Sequence, residues 1–205
     1  MNWDIGNGAH VLTHVQYKAL NDLHSVKVEK HGKNDGERDF LLSFSEESEK
    51  HVMRSGNEKI VSAFDVSIDI LHHFPYPIST MKLHKLLYYC QAWNLVWEEK
   101  PLFKEKIEAW ANGPVVRQVF YYHRGLFEIS KRDFALGNAG LLSEGQHDTI
   151  DSVMEFYGSK SAQWLIDQTH LEMPWRKARK GLGSNERGDH EILLTDMMSY
   201  YASLK

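Results

Sequence analysis

One aromatic-rich stretch, LHKLLYYCQAWNLVW from Leu83 to Trp97, constrains the fold more than any other part of this sequence. Its apolar residues recur three and four positions apart, which is the spacing of one face of an α-helix. The stripe consists of Leu83, Leu86, Leu87, Cys90, Trp93 and Trp97, and Tyr88, Tyr89 and Val96 widen it. A helix that is apolar over so much of its surface needs covering on several sides. We therefore predict that it is the central helix of a mainly α domain.

The bulk composition is that of an ordinary globular chain. With 205 residues, 42% of them hydrophobic, the sequence is long enough to bury a substantial core without disulfides. Its single cysteine excludes an internal disulfide framework and a multi-cysteine zinc site, and fits a reducing compartment. No signal peptide is visible, and no apolar run approaches the roughly 20 residues that span a bilayer. We expect a cytoplasmic protein.

The composition changes near residue 56, which predicts two regions. Residues 1–56 are expected to form a small β-rich extension containing a hairpin, because Val26 and Val28 alternate before a Gly-rich loop, and Phe40, Leu42 and Phe44 alternate after it. A helical domain is expected over residues 57–205. The predicted fold class is mainly α, and α+β when the extension is included.

Local signals predict the elements of the helical domain. Ser79 or Thr80 can cap the central helix, and Ser143 begins a capping box. We expect Ile107–Trp110 to be extended, Pro114 to lie in the first turn of a new helix, and Thr195 or Asp196 to cap a last helix.

Catalytic and metal motifs are weak. Cys90 lies in the middle of the predicted helix on its apolar stripe, whereas a reactive thiolate needs a helix N-terminus or a cationic neighbour. No carboxylate-containing HExxH motif and no cysteine pair accompanies the histidine clusters. We predict neither enzymatic activity nor a metal or other cofactor. If a metal were bound, the residues to test would be His10, His14, His72, His73 and His84.

Three basic clusters allow two interpretations. They are Tyr121–Arg124, Lys131–Arg132 and Arg176–Lys180. Cations beside aromatic rings can bind phosphate and stack on bases. Cations near the end of a helix can equally offset its dipole. The net charge of -4 gives no overall attraction to nucleic acid, so binding to nucleic acid stays open at this stage.

Three segments, in order along the chain, resemble one known family. They are KLHKLLYYCQAWNLVWEEKPLF, IEAWANGPVV and LLSEGQHDTIDSVMEFYGSKSAQWLIDQTHLEMPWRKAR. Together they resemble the Panacea antitoxin domain, also called the SocA-like or phage-associated domain, over about residues 62–202.

This resemblance implies a compact helical domain and an antitoxin function. The expected partner is a cognate protein toxin encoded by an adjacent gene in a bacterium or phage, which the chain would neutralise by direct binding. Self-association is possible. The alternative function is a nucleic-acid-binding transcriptional regulator of its own operon.

We predict that the toxin contacts the turn that follows the central helix. A rigid turn that presents tryptophan, tyrosine and arginine side chains is typical of interface anchors. The predicted partner-binding residues are Trp110, Gly113, Pro114, Arg117 and Tyr121, followed by Trp175 and Arg176.

Overall fold

The structure is a computed structural model that describes residues 61–204. The predicted hairpin extension over residues 1–56, together with His10 and His14, lies outside the described residues. The boundary at residue 57 likewise stays a prediction.

The described part of the chain is mainly helical, as predicted. Its seven α-helices are α1 (Ala63–His72), α2 (Thr80–Trp97), α3 (Arg117–His123), α4 (Glu144–Tyr157), α5 (Ala162–Leu171), α6 (Met173–Ala178) and α7 (Leu194–Ala202). Its four short strands are β1 (Ile78–Ser79), β2 (Ile107–Trp110), β3 (Gly113–Val116) and β4 (Glu128–Ile129). Two 3-10 helices, Lys131–Asp133 and Ala139–Leu141, precede α4. None of the helices within residues 61–204 has the length and apolarity needed to cross a membrane.

Helix α2 lies at the centre of this domain, which confirms the prediction from its apolar stripe. Every residue from Leu83 to Leu95 is buried. The surrounding elements are α1, α4, α5, α7 and β3. Burying each large apolar side chain stabilises the fold by roughly 1.5–3 kcal/mol, so this one helix supplies much of the core. Ser79 caps it by accepting a hydrogen bond from the Lys82 backbone N–H at 3.2 Å.

Helix α1 packs along the loop that follows α3. A capping box between Ser62 and Asp65 starts the helix. The ring of Phe64 then contacts Tyr122 at 5.6 Å and Phe134 at 6.2 Å, measured between ring centroids. Asp65 Oδ1 accepts a hydrogen bond from the Asn138 backbone N–H at 2.8 Å. The first described turn of the chain is therefore fixed beside the 3-10 helix Lys131–Asp133.

The segment expected to begin a helix at Pro114 forms a strand instead. Strands β2 and β3 pair antiparallel, with Trp110 opposite Gly113 and Ala109 opposite Pro114. Gly113 has a φ of +96°, which lets the two-residue turn close. Since Pro114 continues the hairpin, the helix starts only at Arg117. The extended conformation of β2 is as predicted.

The last helix also differs at its start. Helix α7 begins at Leu194 and has no side-chain cap, so Thr195 and Asp196 lie inside it. Asp196 instead accepts a hydrogen bond from Lys177 of α6 at 2.6 Å. The carboxylate that was expected to cap α7 therefore binds a lysine of another helix, a contact that the local sequence does not reveal. The capping box at Ser143 is present as predicted.

Candidate partner-binding face

A polar network crosses the outer side of the β2–β3 hairpin. Arg117 Nε donates to Glu108 Oε1 at 2.6 Å, and Arg117 Nη2 donates to Asp189 Oδ2 at 3.1 Å. The second oxygen of Glu108 accepts from Trp110 Nε1 at 2.7 Å. A carboxylate that receives both an indole and a guanidinium N–H is held in one orientation. The network therefore fixes the side chains of Arg117 and Trp110 relative to each other.

Aromatic rings continue this face along α3. The ring of Trp110 packs edge-on against Phe120 at 4.8 Å, and Phe120 contacts Tyr121 at 5.8 Å. Tyr121 is 57% exposed, whereas Trp110 and Phe120 are half-buried. The Arg117 side chain is 36% exposed. We name Trp110, Arg117 and Tyr121 the hairpin face.

Two buried side chains of the last motif support the hairpin from below. Trp175 Nε1 donates to Trp110 O at 3.0 Å, and its ring stacks on His170 with centroids 4.1 Å apart. Arg179 Nη1 donates to Ala109 O at 3.0 Å. The other Arg179 nitrogen, Nη2, donates to the carbonyls of Gly183 and Glu186 at 2.8 Å each. The loop carrying Asp189 is thus attached to β2 through one buried guanidinium.

The buried Lys85 of α2 holds the other side of the hairpin. Its Nζ donates to Pro114 O at 3.0 Å. A Cβ added at Gly113 would lie 2.4 Å from Lys85 Cε, so the lysine chain fits only over a glycine. Burial lowers the pKa of Lys85 to about 7, because water no longer stabilises the ammonium.

A buried histidine pair connects the same hairpin to α3. The Val116 N–H donates to His84 Nδ1 at 3.3 Å, and His84 Nε2 lies 2.8 Å from His123 Nε2. Since Nδ1 of His84 accepts, its Nε2 carries the proton and donates to His123. Burial, aided by the nearby charge of Lys85, lowers the pKa of His84 well below its ordinary value. Both rings are therefore neutral at physiological pH.

Glu172, at the junction of α5 and α6, forms a second buried polar cluster. Tyr201 Oη donates to its Oε2 at 2.7 Å, and Tyr89 Oη donates to its Oε1 at 3.1 Å. Tyr157 stacks on Tyr89 with ring centroids 4.0 Å apart. Burial raises the pKa of Glu172 to about 7, and the phenol hydrogen bonds oppose that rise. The cluster joins α2, α6 and α7 inside the core.

Comparison with known proteins shows that the region containing most of these features is similar to one known family. Residues 83–176 match the family model described as "Antitoxin SocA-like, Panacea domain". The resemblance to the Panacea antitoxin family is confirmed. The chain is also 32% identical over 120 residues to Antitoxin SocA of Caulobacter vibrioides (strain NA1000 / CB15N). That alignment covers 53% of this chain and 64% of the curated relative, so the chain spans less than two thirds of the relative's length. No solved structure matches the chain.

The Panacea match contains all seven predicted partner-binding residues, and the structure brings them together around one hairpin. Tyr121 and Arg176 are exposed, and Trp110 and Arg117 are half-buried. Gly113, Pro114 and Trp175 are buried, so their place is beneath the face and not on it. The turn therefore does not present Gly113 and Pro114 outward, because β3 packs against α2. The assignment of these residues to partner binding stays a prediction.

Within residues 61–204, the residues considered for catalysis and metal binding lie in different environments. Cys90 is buried, and burial raises its pKa above the ordinary range of a thiol. His72 and His73 are exposed at the end of α1, whereas His84 is buried in the histidine pair. Among residues 61–204, no group of three or more His, Cys, Asp or Glu side chains could hold a metal ion.

The sequence analysis missed the charged residues that organise the face. Lys85 carried a signal, since it is a lysine within an otherwise apolar helical stripe. A buried lysine needs a partner, but the sequence did not show that the carbonyl of Pro114, 29 residues later, supplies it. Asp189 carried no local signal, because its partner Arg117 is 72 residues away in sequence. Glu108 lies two residues before Trp110 and nine before Arg117, but its bonds to both depend on the hairpin. Glu172, in the separate core cluster, is 83 residues from Tyr89 and also carried no local signal.

Proposed function

We propose that this protein is an antitoxin that neutralises a protein toxin by direct binding, and that it is not an enzyme. The observation that carries the proposal is the Panacea match over residues 83–176. The matched region includes the whole hairpin, α3 and the supporting Trp175. The name of the curated relative, Antitoxin SocA, supports the same function class.

The hairpin face has the chemistry of a binding surface. Tryptophan, tyrosine and arginine are the residues most often responsible for binding energy at protein interfaces. Glu108 and Asp189 already orient the Arg117 guanidinium, so less side-chain entropy is lost when a partner docks. A guanidinium beside an exposed phenol can contact carboxylates, carbonyls and aromatic faces.

The partner proposed here is a cognate toxin encoded by an adjacent gene. We place both proteins in the cytoplasm of a bacterium or of a phage-infected cell. The family match supports an antitoxin in general; the adjacent toxin gene and neutralisation by direct binding are the specific parts of this proposal.

The test combines Arg117→Glu with Tyr121→Ala in the full chain, expressed beside the product of the adjacent gene. Loss of two interface anchors of about 2 kcal/mol each, about 4 kcal/mol together when their effects add, is expected to weaken binding roughly 700-fold. Co-purification with the toxin, and protection of cells from it, would then be lost. Circular dichroism checks that the variant stays folded. Arg117→Gln replaces Arg117→Glu if repulsion from Glu108 disturbs the hairpin.

The matched control is Lys104→Glu with Tyr76→Ala, which makes the same kinds of change at exposed positions that are not part of the hairpin face. It should bind and protect as the unmodified chain does. A folded hairpin-face variant that still protects cells would place the interface elsewhere. An unmodified chain that neither binds nor neutralises the adjacent gene product would overturn the proposed function itself.

A further inference from the structure

An apolar and basic patch lies just beyond α3, in a segment that the proposed function does not use. Phe127 is 90% exposed and Leu126 is 48% exposed. The exposed cations Arg124, Lys131 and Arg132 flank them. Within residues 61–204 none of these three cations belongs to a salt bridge. We name residues 124–132, which carry these three cations and one exposed carboxylate, Glu128, the basic patch.

The backbone holds this patch in place. Phe127 O accepts a hydrogen bond from the Thr80 N–H at 3.0 Å, and the next two residues pair with β1 as strand β4. Ile129 is completely buried, so the register of β4 is fixed by the core. The Phe127 ring therefore stays at the surface, where leaving a large apolar side chain in water costs roughly 1.5–3 kcal/mol relative to burial.

The chain enters the described structure beside this patch. Val61 precedes α1, whose first turn places Phe64 against Tyr122 and Phe134. Helix α1 also contacts the 3-10 helix that carries Lys131 and Arg132. Whatever precedes residue 61 is consequently attached at the end of α1 whose first turn packs on Phe134, two residues after Arg132 of the patch.

Residues 39–49, DFLLSFSEESE, have the complementary chemistry. They contain Asp39, Glu46, Glu47 and Glu49 and no lysine or arginine. Their apolar residues include Phe40, Leu42 and Phe44 at alternate positions, a spacing that places three side chains on one face of an extended segment. Residues 50–60 connect this segment to the domain and can span roughly 35 Å when extended, at about 3.3 Å per residue.

We propose that residues 39–49 dock on the basic patch of their own chain. Phe40, Leu42 and Phe44 cover Leu126 and Phe127, and the glutamates face Lys131 and Arg132. Each contact is weak by itself, since exposed ion pairs contribute at most about 1 kcal/mol. A short tether gives the segment a millimolar effective concentration at the patch, which makes weak contacts sufficient.

The test measures how fast chymotrypsin cleaves at Phe40–Phe44 in the full-length protein. A docked segment is cleaved in proportion to its undocked fraction, so cleavage is expected to be slower than in a free peptide of residues 37–50. Lys131→Glu with Arg132→Glu should accelerate cleavage about tenfold, as should Glu46→Lys with Glu47→Lys. Combining both pairs should restore slow cleavage, because the charges are again opposite. Phe127→Ser should also accelerate it.

Lys180→Glu with Arg187→Glu is the matched control, since it reverses two exposed cations outside the patch. It should leave the cleavage rate unchanged. The proposal is overturned if the segment is cleaved as fast as the free peptide, or if reversing the patch charges has no effect. Protection that increases with protein concentration would assign the patch to a second copy and overturn docking within one chain. The assay contains no toxin, so its outcome is independent of the proposed function.

Discussion

Two buried ionisable groups, Lys85 and Glu172, connect α2 to two different parts of the molecule. Lys85 lies on α2 and donates to a backbone carbonyl of the hairpin. Glu172 lies at the α5–α6 junction and receives a phenol of α2 and a phenol of α7. Burial moves both pKa values to about 7, downward for the amine and upward for the carboxyl. Burial thus shifts both pKa values, but the two groups have different structural roles. Lys85 holds the backbone of the hairpin, and Glu172 holds tyrosine side chains in the core.

The largest expected effect is an opposite pH dependence of stability. For Glu172 the folded pKa, about 7, exceeds the unfolded value of 4.5, so the folded state binds more protons between these pH values. Its contribution to the free energy of unfolding therefore falls as pH rises from 4.5 to 7. For Lys85 the folded pKa, about 7, lies below 10.5, so its contribution rises with pH from 7 to 10.5. Each slope reaches at most about 1.4 kcal/mol per pH unit.

The measurement is urea unfolding across pH for the unmodified chain, Glu172→Gln and Lys85→Met. Only the differences between curves are interpreted, because His84 and His123 also have lowered pKa values and add a rise with pH below about 6.5. Glu172→Gln should remove the fall between pH 4.5 and 7, and Lys85→Met should remove the rise above pH 7. If the free energy of unfolding changed with pH in the same way in all three proteins, the opposite pH dependences assigned to Glu172 and Lys85 would be wrong.

A smaller effect is expected from a single phenol. At pH 8, where Glu172 with a pKa of about 7 is mostly ionised, Tyr201→Phe removes the 2.7 Å hydrogen bond to its carboxylate, and a hydrogen bond to a charged group contributes about 1.5–3 kcal/mol. Tyr200→Phe is the matched control, since Tyr200 is half-buried on the same helix and its hydroxyl does not bond Glu172. Thermal or urea unfolding of the two variants compares them directly. Equal destabilisation would mean that the carboxylate does not depend on Tyr201.

The smallest effect is expected at Cys90, which lies on α2 and is as buried as Lys85. Its thiol forms no disulfide. Cys90→Ala trims one small atom from the core, so the free energy of unfolding should fall by about 1 kcal/mol or less. Toxin protection should be unchanged in the same variant. Loss of protection by a folded Cys90→Ala protein would show that the thiol has a role beyond packing.

The sequence predicted the elements whose causes are local. The stripe of α2 and the caps at Ser79 and Ser143 depend on residues within one or two turns, and the structure confirms them. Pro114 was assigned to a helix because its preference for a first turn is a local rule. Pairing of β3 with β2 and packing on α2 outweighed that rule.

The candidate face was predicted only in part, for the same reason. Trp110, Arg117 and Tyr121 could be named because aromatic and arginine residues flank the visible Gly113–Pro114 break in the chain. Their carboxylate partners could not, since Asp189 reaches Arg117 across 72 residues of sequence. Burial of Trp175 likewise depends on a hydrogen bond to Trp110 O, 65 residues earlier in the chain.

The contact between Lys85 and Gly113 restricts the order in which this domain can change during evolution. A side chain at position 113 would overlap Lys85 Cε and would also need the φ of +96° that only glycine adopts easily. A lineage that shortens the lysine first removes the overlap, while one that enlarges the glycine first passes through an unstable intermediate. Descendants of this sequence should therefore exchange residue 85 before residue 113, or keep both.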